Sequence, residues 1–288
     1  MRILLLGRNG QLGWELARCL PPLGDVTAVD YPEIDLAAPD SIRALIRQVA
    51  PAVIINATAY TAVDQAEQRS DLSYAINGTA PGILAEEARS LGAALIHYST
   101  DYVFNGRKGS PYCETDNVDP LNVYGKSKLR GEQAVQAIGG AYLILRTAWV
   151  YSLRGDSFVR KVLQWARQGE TLRIVEDQVS NPTWARMLAE ATALLLARGL
   201  APLREHSGMY HLAGSGHASR LDWASAILRL DPRGSEQTVK QVLPARTADF
   251  PTPAQRPLFS ALNCLLFEKT FDIALPPWTT ALDLAMSS

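Results

Sequence analysis

In the first half of the chain, short apolar and β-branched runs alternate with longer segments whose apolar residues recur at helical period. Residues 3–6, 26–29, 53–55, 95–97 and 143–145 read as strands, each followed by polar residues or glycine. Residues 11–20, 41–49, 84–91 and 123–138 read as the helices between them. This alternation is the pattern of β-α-β units on a parallel sheet. Asp40 is expected to N-cap the second helix and Gly92 to C-cap the third, whose start Gly78 and Pro81 leave open. The Glu86-Glu87 pair on that third helix reads as a solvated face.

Beyond Trp149 the pattern loosens to a helix at 158–167, a strand at 172–175 and an apolar helix at 187–196. Prolines 244, 251, 253, 257, 276 and 277 gather in the last hundred residues, which suits a smaller, loop-rich lobe covering a cleft. Trp165 and Trp223 fall on amphipathic stretches and read as packing.

Composition narrows the classes. The 288 residues, 47% of them hydrophobic, are ample for a buried core. With 28 Lys plus Arg against 29 Asp plus Glu, the chain has no electrostatic footprint for nucleic acid or an anionic membrane. Cys19, Cys113 and Cys264 are odd in number and widely spaced, which argues against a disulfide framework or a structural zinc site. The first residues reach glycine too soon for a signal-peptide core, and no apolar run approaches the roughly 18 residues of a membrane span. The expectation is a cytoplasmic protein with neither nucleic acid nor membrane as partner.

Candidate chemistry begins at Gly7-Arg8-Asn9-Gly10-Gln11-Leu12-Gly13, between the first strand and the first helix. Gly7 and Gly10 allow a tight turn and close approach of phosphate to backbone N–H groups, and Gly13 lets the helix pack near the strand. Asp30, at the end of the second strand, stands where an acid binds the adenosine ribose. Tyr124 and Lys128 lie four apart on the 123–138 helix and share a face. A nearby ammonium is expected to move the tyrosine pKa from its ordinary value toward neutrality. Thr100 closes the strand at 95–97, where ligands sit in open α/β sheets, and its hydroxyl suits a carbonyl oxygen that receives charge. His97 reads as a core histidine, and the irregular spacing of His206, His211 and His217 argues against a metal cluster.

These residues together resemble the extended short-chain dehydrogenase/reductase superfamily, and within it the dTDP-4-dehydrorhamnose reductase family. The likeness spans nearly the whole chain. Beyond the glycine loop it rests on Asn-Ala-Thr-Ala-Tyr-Thr-Ala-Val-Asp at 56–64, Tyr-Ser-Thr-Asp-Tyr-Val-Phe at 98–104, Leu-Asn-Val-Tyr-Gly-Lys at 121–126, Arg-Thr-Ala-Trp-Val-Tyr at 146–151 and Pro-Thr-Pro-Ala-Gln-Arg-Pro at 251–257. The fold expected is α/β: a Rossmann-type doubly wound parallel sheet with a smaller, loop-rich α/β substrate lobe. Residues 1–149 would form the NAD(P)-binding domain, joined by parts of 172–218, and 150–288 mainly the substrate lobe.

The resemblance implies reduction of a 4-keto sugar on thymidine diphosphate by NADPH or NADH. Tyr124 would protonate the forming alkoxide, Lys128 would hold the nicotinamide ribose, and Thr100 would polarise the carbonyl. Val63, Asp101, Tyr102 and Trp149 would border the sugar, and Asp35, Leu36, Ala59 and Thr61 the cofactor. Arg256 suits either the substrate diphosphate or a structural ion pair. Arg8 would attract the 2′-phosphate of NADPH while Asp30 favours NADH, so dual use is expected.

Four other readings fit parts of this set. A nucleotide-sugar 4,6-dehydratase needs an acid after Thr100-Asp101, where Tyr102 stands. Another nucleotide-sugar 4-ketoreductase or an epimerase shares the residue types. A non-catalytic subunit, like that accompanying methionine adenosyltransferase, would keep cofactor binding alone. The resemblance also implies a Mg²⁺ site that joins two subunits through glutamates. Glu15 and Glu190 match two of these by position, while the chain ends at Ser288 where the third would fall. The expectation is a weakened Mg²⁺ site and a monomer or weak homodimer.

Overall fold

In chain order, β1 (Arg2–Leu6), α1 (Gln11–Cys19), β2 (Asp25–Val29), α2 (Pro39–Val49) and β3 (Val53–Asn56) make the first two crossovers. Two single turns, α3 (Val63–Ala66) and α4 (Ser70–Tyr74), then lead into α5 (Ala80–Leu91), β4 (Ala94–Thr100), α6 (Val123–Ile138) and β5 (Ala141–Thr147). The computed structural model describes residues 1–287, so Ser288, where the third glutamate of a Mg²⁺ site was sought, lies outside the described residues.

Successive side chains of a strand point to opposite faces, and β1 shows the consequence. Ile3 and Leu5 enter a core with Leu12 and Leu16 of α1, while Leu4 and Leu6 enter a second core with Ile42 and Ile46 of α2 and Leu84 of α5. The sheet is thereby covered on both faces, as its uninterrupted apolar strands require.

The rest of the chain contributes β6 (Val150–Tyr151), α7 (Phe158–Trp165), β7 (Thr171–Val175), β8 (Val179–Ser180), β9 (Thr183–Trp184), α8 (Ala185–Ala197), α9 (Ala201–Glu205) and β10 (Gly208–His211). It ends with β11 (Ala218–Ser219), α10 (Arg220–Arg229), β12 (Gln241–Ala245), α11 (Leu265–Phe271) and α12 (Trp278–Met286). β10 pairs parallel with β5, giving a six-stranded sheet of order β10-β5-β4-β3-β1-β2, and α8 packs beside α1 on one face. The order reverses between β1 and β3, which opens a crevice at the C-terminal strand ends. A third core, built on Tyr151, Val162, Trp223 and Leu282, underlies the second lobe with its two-stranded pairs β11-β8, β12-β7 and β6-β9.

Several local expectations change. Ala38, not Asp40, is the N-cap of α2; Pro39 takes the first helical position, and Asp40 lies in the first turn, where a carboxylate still complements the helix dipole. α5 starts at Ala80 with Pro81 in its first turn, Gly78 lies in the π-turn 75–79 before it, and Gly92 caps it at φ 65°. Glu87 is not solvated: it is 4% exposed and held by Arg43 and Arg47 of α2.

One buried ion pair ties the sheet to α6. Glu132, fully buried, accepts from Arg146 of β5 through Nε at 2.9 Å and Nη2 at 2.6 Å, and from the Ser99 hydroxyl of β4 at 2.5 Å. Truncating one partner strands a charge in the core, at a cost of about 3–5 kcal/mol. Glu132→Ala should therefore lower stability by that amount in urea unfolding, and Glu132→Met combined with Arg146→Met should recover most of it. Wild-type stability in the single variant would show that the pair is inert.

Candidate active site

The crevice at the C-terminal strand ends is a cavity of about 570 Å³. From the glycine loop it gathers Gly7, Asn9, Gly10, Gln11 and Leu12, with Asp30, Ala59 and Thr61 beside them. Thr100, Asp101, Tyr124, Lys128 and Trp149 line its other side. Arg8, Gly13, Asp35, Leu36, Val63, Tyr102 and Arg256 stand outside its lining.

Gly7 takes a φ of 92°, and its N–H donates to Val29 O at 2.9 Å. A Cβ on Gly13 would fall 1.8 Å from Gly7 O, so the close approach of α1 to the loop demands glycine there. Gly10 caps α1 without a side-chain bond, leaving first-turn N–H groups directed to the cavity, as anion binding at a helix start requires. Gln11 Oε1 is buried with no hydrogen-bond partner, an acceptor that a hydroxyl- or amide-bearing ligand would satisfy. These features fit a dinucleotide.

At the adenosine end, Asp30 accepts from Asn9 N at 3.0 Å and Tyr31 N at 2.8 Å. Arg8 donates to Ala28 O at 2.8 Å and pairs with Glu33 at 2.9 Å, a carboxylate that sequence reasoning missed. Asp35 accepts from Ala37 N and shapes the turn into α2, and Leu36 packs on the core beneath that helix.

Tyr124 and Lys128 share a face of α6, yet the lysine does not do what spacing suggests. Its Nζ donates to Tyr98 O at 2.6 Å and lies 3.4 Å from His97 Nε2. Burial lowers the Lys128 pKa to about 8, against the pull of Glu132. Burial also raises the Tyr124 pKa, opposed by the Thr100 hydroxyl, so the shift runs opposite to the expected drop toward neutrality. His97 is buried as a strand histidine should be, and its Nδ1 stands 3.0 Å from Asn56 Nδ2.

Thr100 Oγ1 accepts from Tyr102 N at 3.1 Å and donates to Asp101 Oδ1 at 3.2 Å. Asp101, 2% exposed, also accepts from Ser180 Oγ at 3.1 Å and from Ser260 Oγ, both in the second lobe. Burial raises its pKa to about 6 despite these bonds. Neither serine carries a sequence signal, because each lies far from Asp101 along the chain.

Trp149 adopts a φ of 41°, a conformation that costs a bulky residue energy. Its ring stacks on Trp223 and carries the Arg220 guanidinium 3.6 Å from its centroid. Trp223 is thus packing, as read, whereas Arg220 was missed. Tyr102 meets Tyr124 edge to face at 5.8 Å. Val63 begins α3, and Arg256 is committed to Asp64 through bonds of 2.6 and 2.7 Å, the structural ion pair rather than an open anion site.

Glu15 is buried on α1, which raises its pKa, and Glu190 on α8 binds Arg186 at 2.8 Å. Among the described residues no three His, Cys, Asp or Glu side chains are grouped to hold a metal. No described helix is long and apolar enough to cross a membrane.

The Asp101 carboxyl binds its proton more tightly in the folded chain than in the unfolded one, so its contribution to stability is present below about pH 4 and is lost as pH rises through about 6. A displacement from 3.8 to about 6 corresponds to at most roughly 3 kcal/mol. Asp101→Asn should gain stability relative to wild type by about 1–3 kcal/mol between pH 4 and 7 in urea unfolding. A difference independent of pH would show that Asp101 is ionised throughout.

The family model described as the RmlD substrate binding domain matches residues 1–288. A dTDP-4-dehydrorhamnose reductase of Burkholderia thailandensis is 42% identical over 295 residues, covering 99% of this chain and 98% of that protein. A crystal structure of a dTDP-4-dehydrorhamnose reductase from Clostridium acetobutylicum superposes with a TM-score of 0.91 at 36% identity, covering 100% of this chain and 99% of the other. Another from Bacillus anthracis, in complex with NADP, gives 0.89 at 32% identity, with 99% and 98% covered. With its glycine loop, strand-end threonine and Tyr-Lys helix in one crevice, the chain belongs to the dTDP-4-dehydrorhamnose reductase family.

Proposed function

We propose that this protein reduces the 4-keto group of dTDP-4-dehydro-6-deoxy-L-mannose to give dTDP-L-rhamnose, with NADPH or NADH as reductant. The observation that carries this reading is the meeting of Tyr124, Thr100 and Lys128 opposite the glycine loop in one cavity. When bound, NAD(P)H supplies the hydride for C4 of the sugar.

The chain's own residues handle the oxygen. Thr100 Oγ1 and the Tyr124 hydroxyl lie on the same side of the cleft; Tyr124 donates to a carbonyl oxygen as negative charge develops on it, and Thr100 adds a second bond by turning its O–H from Asp101 to that oxygen. Tyr124 then delivers its proton to that oxygen. A buried neutral phenol is a competent proton donor, and burial holds Tyr124 protonated. Lys128, with a pKa near 8 and its amine on Tyr98 O, stands one helical turn away and would have to turn from that carbonyl to bind a cofactor ribose hydroxyl and steady the phenolate left behind. Asp101 and Trp149 line the cavity where the sugar would sit.

Tyr102 beside Asp101 supplies no carboxylic acid for eliminating water, which favours reduction over dehydration. Net oxidation of NAD(P)H by a 4-keto sugar distinguishes a reductase from an epimerase and from a cofactor-binding subunit without turnover.

Tyr124→Phe should bind NADPH normally and lose turnover by about 100-fold or more, measured by NADPH oxidation with the 4-keto sugar. A near wild-type kcat would identify another acid. At the adenosine end, Arg8→Ala should weaken NADPH more than NADH, by about 1–3 kcal/mol in binding titrations. Glu33→Gln should shift preference the other way, by freeing Arg8 for the 2′-phosphate. Equal losses for both cofactors in Arg8→Ala would confine that side chain to holding the loop.

A further inference from the structure

A nucleoside diphosphate sugar brings a diphosphate into the cleft, and that group needs a cation with open N–H donors. The Arg256 charge is already paired. Both of its terminal nitrogens are bound to Asp64, and Nη1 also donates to Thr252 Oγ1 and Ala254 O. The cations of the glycine loop belong to the other end of the cavity, where Arg8 is paired with Glu33.

Arg220 is different. It is the first residue of α10, and the β11-β8 ribbon that sets Ser180 against Asp101 also delivers it, through Arg220 N donating to Gln178 O at 3.1 Å. Its guanidinium lies 3.6 Å from the ring centroid of Trp149 and 4.7 Å from that of Phe158. Among the described residues its side chain makes no ion pair and donates no hydrogen bond. Stacking covers the face of a guanidinium and leaves its N–H groups, which lie in the plane, directed outward. Trp149 and Asp101 both line the cavity, Arg220 stands just outside that lining against the Trp149 ring, and the charges of Arg220 and Asp101 act on one another. Removal from water without a paired anion lowers the Arg220 pKa to about 10, so it remains cationic at neutral pH.

We propose that Arg220 is the specificity-determining cation that receives the diphosphate of the sugar nucleotide, held edge-on by its stack against Trp149. The proposal rests on the reading of the substrate given above. Charge and shape agree, since a pre-oriented fork of N–H donors matches a phosphate bidentately.

The test is calorimetric titration of the full chain, saturated with NADP⁺, with thymidine diphosphate and with thymidine. Wild type should bind the diphosphate about 10- to 100-fold more tightly than the nucleoside, the range that charge-assisted hydrogen bonds supply. R220M retains an aliphatic stem over the aromatic rings and should lose most of that ratio, with NADP⁺ affinity within about twofold of wild type. R220K, charged but without the fork, should fall between, and R220Q should behave as R220M. Retention of the wild-type ratio in R220M and R220Q would overturn the proposal, as would a wild type that does not distinguish the two ligands. Activity separates the two readings. A wild type that binds thymidine diphosphate through Arg220 but never reduces the 4-keto sugar sinks the proposed reaction alone. Turnover with an unchanged KM in R220M sinks the role of Arg220 alone.

Discussion

The Glu132–Arg146 pair is the constraint on which the site depends. A helix can slide or rotate over a sheet at small cost where only apolar side chains meet, but a buried bidentate ion pair admits one register. Here it joins the middle of α6 to β5, and the Ser99 hydroxyl adds β4. Lys128 lies one turn before Glu132 and Tyr124 two turns before it, so fixing the carboxylate fixes where both project. Close packing supports the same register: a Cβ on Gly125 would fall 2.3 Å from Tyr102 O, which lets the start of α6 settle against the loop after β4. The pair also acts electrostatically, because Glu132 resists the loss of charge that burial imposes on Lys128.

What the sheet positions, the second lobe completes. Ser180 and Ser260 come from separate segments of that lobe and converge on Asp101, the residue after Thr100. Their hydroxyls hold the carboxyl that in turn accepts from Thr100, so the orientation of the strand-end hydroxyl is set from across the cleft. The β4 strand end therefore depends on residues more than seventy positions away in sequence. Trp149 belongs to the same junction. Its left-handed backbone turns the chain from β5 into the second lobe, and the strain is offset by the stack that Trp223 and Arg220 make with its ring.

The parts legible in the sequence were those encoded by local pattern. Continuous apolar strands, the glycine loop and the i, i+4 relation of Tyr124 to Lys128 each specify geometry within a few residues. β10 was not legible, because Gly208–His211 is too short to show a period and becomes a strand only by pairing with β5. Glu87 was misread for a related reason: its partners Arg43 and Arg47 sit on a helix that only the fold brings alongside. The pKa of Tyr124 moves opposite to expectation because spacing reports that a lysine is near but not which way its amine points. In the folded chain that amine is taken by Tyr98 O, and desolvation prevails.

These placements give the cavity two electrically different ends. Near the glycine loop, Arg8 is matched by Glu33 and Asp30 is satisfied by backbone N–H groups, so a bound adenosine meets a compensated surface whose discrimination between a hydroxyl and a phosphate is a balance of opposed charges. Beyond the opposite end, behind Trp149 and outside the cavity lining, Arg220 makes no ion pair among the described residues, and Asp101, whose charge acts on it, is held partly protonated around pH 6 by burial. An anion entering there gains a charge-assisted contact without first breaking an ion pair, whereas a phosphate seeking Arg8 must displace Glu33. On the proposed reading, two diphosphate-bearing ligands would enter the cleft in opposite orientations, one on the helix-start N–H groups and the other toward the arginine behind Trp149. Thr100 and Tyr124 line the cavity opposite the glycine loop, so on the proposed reaction a hydride and a proton would meet beside them.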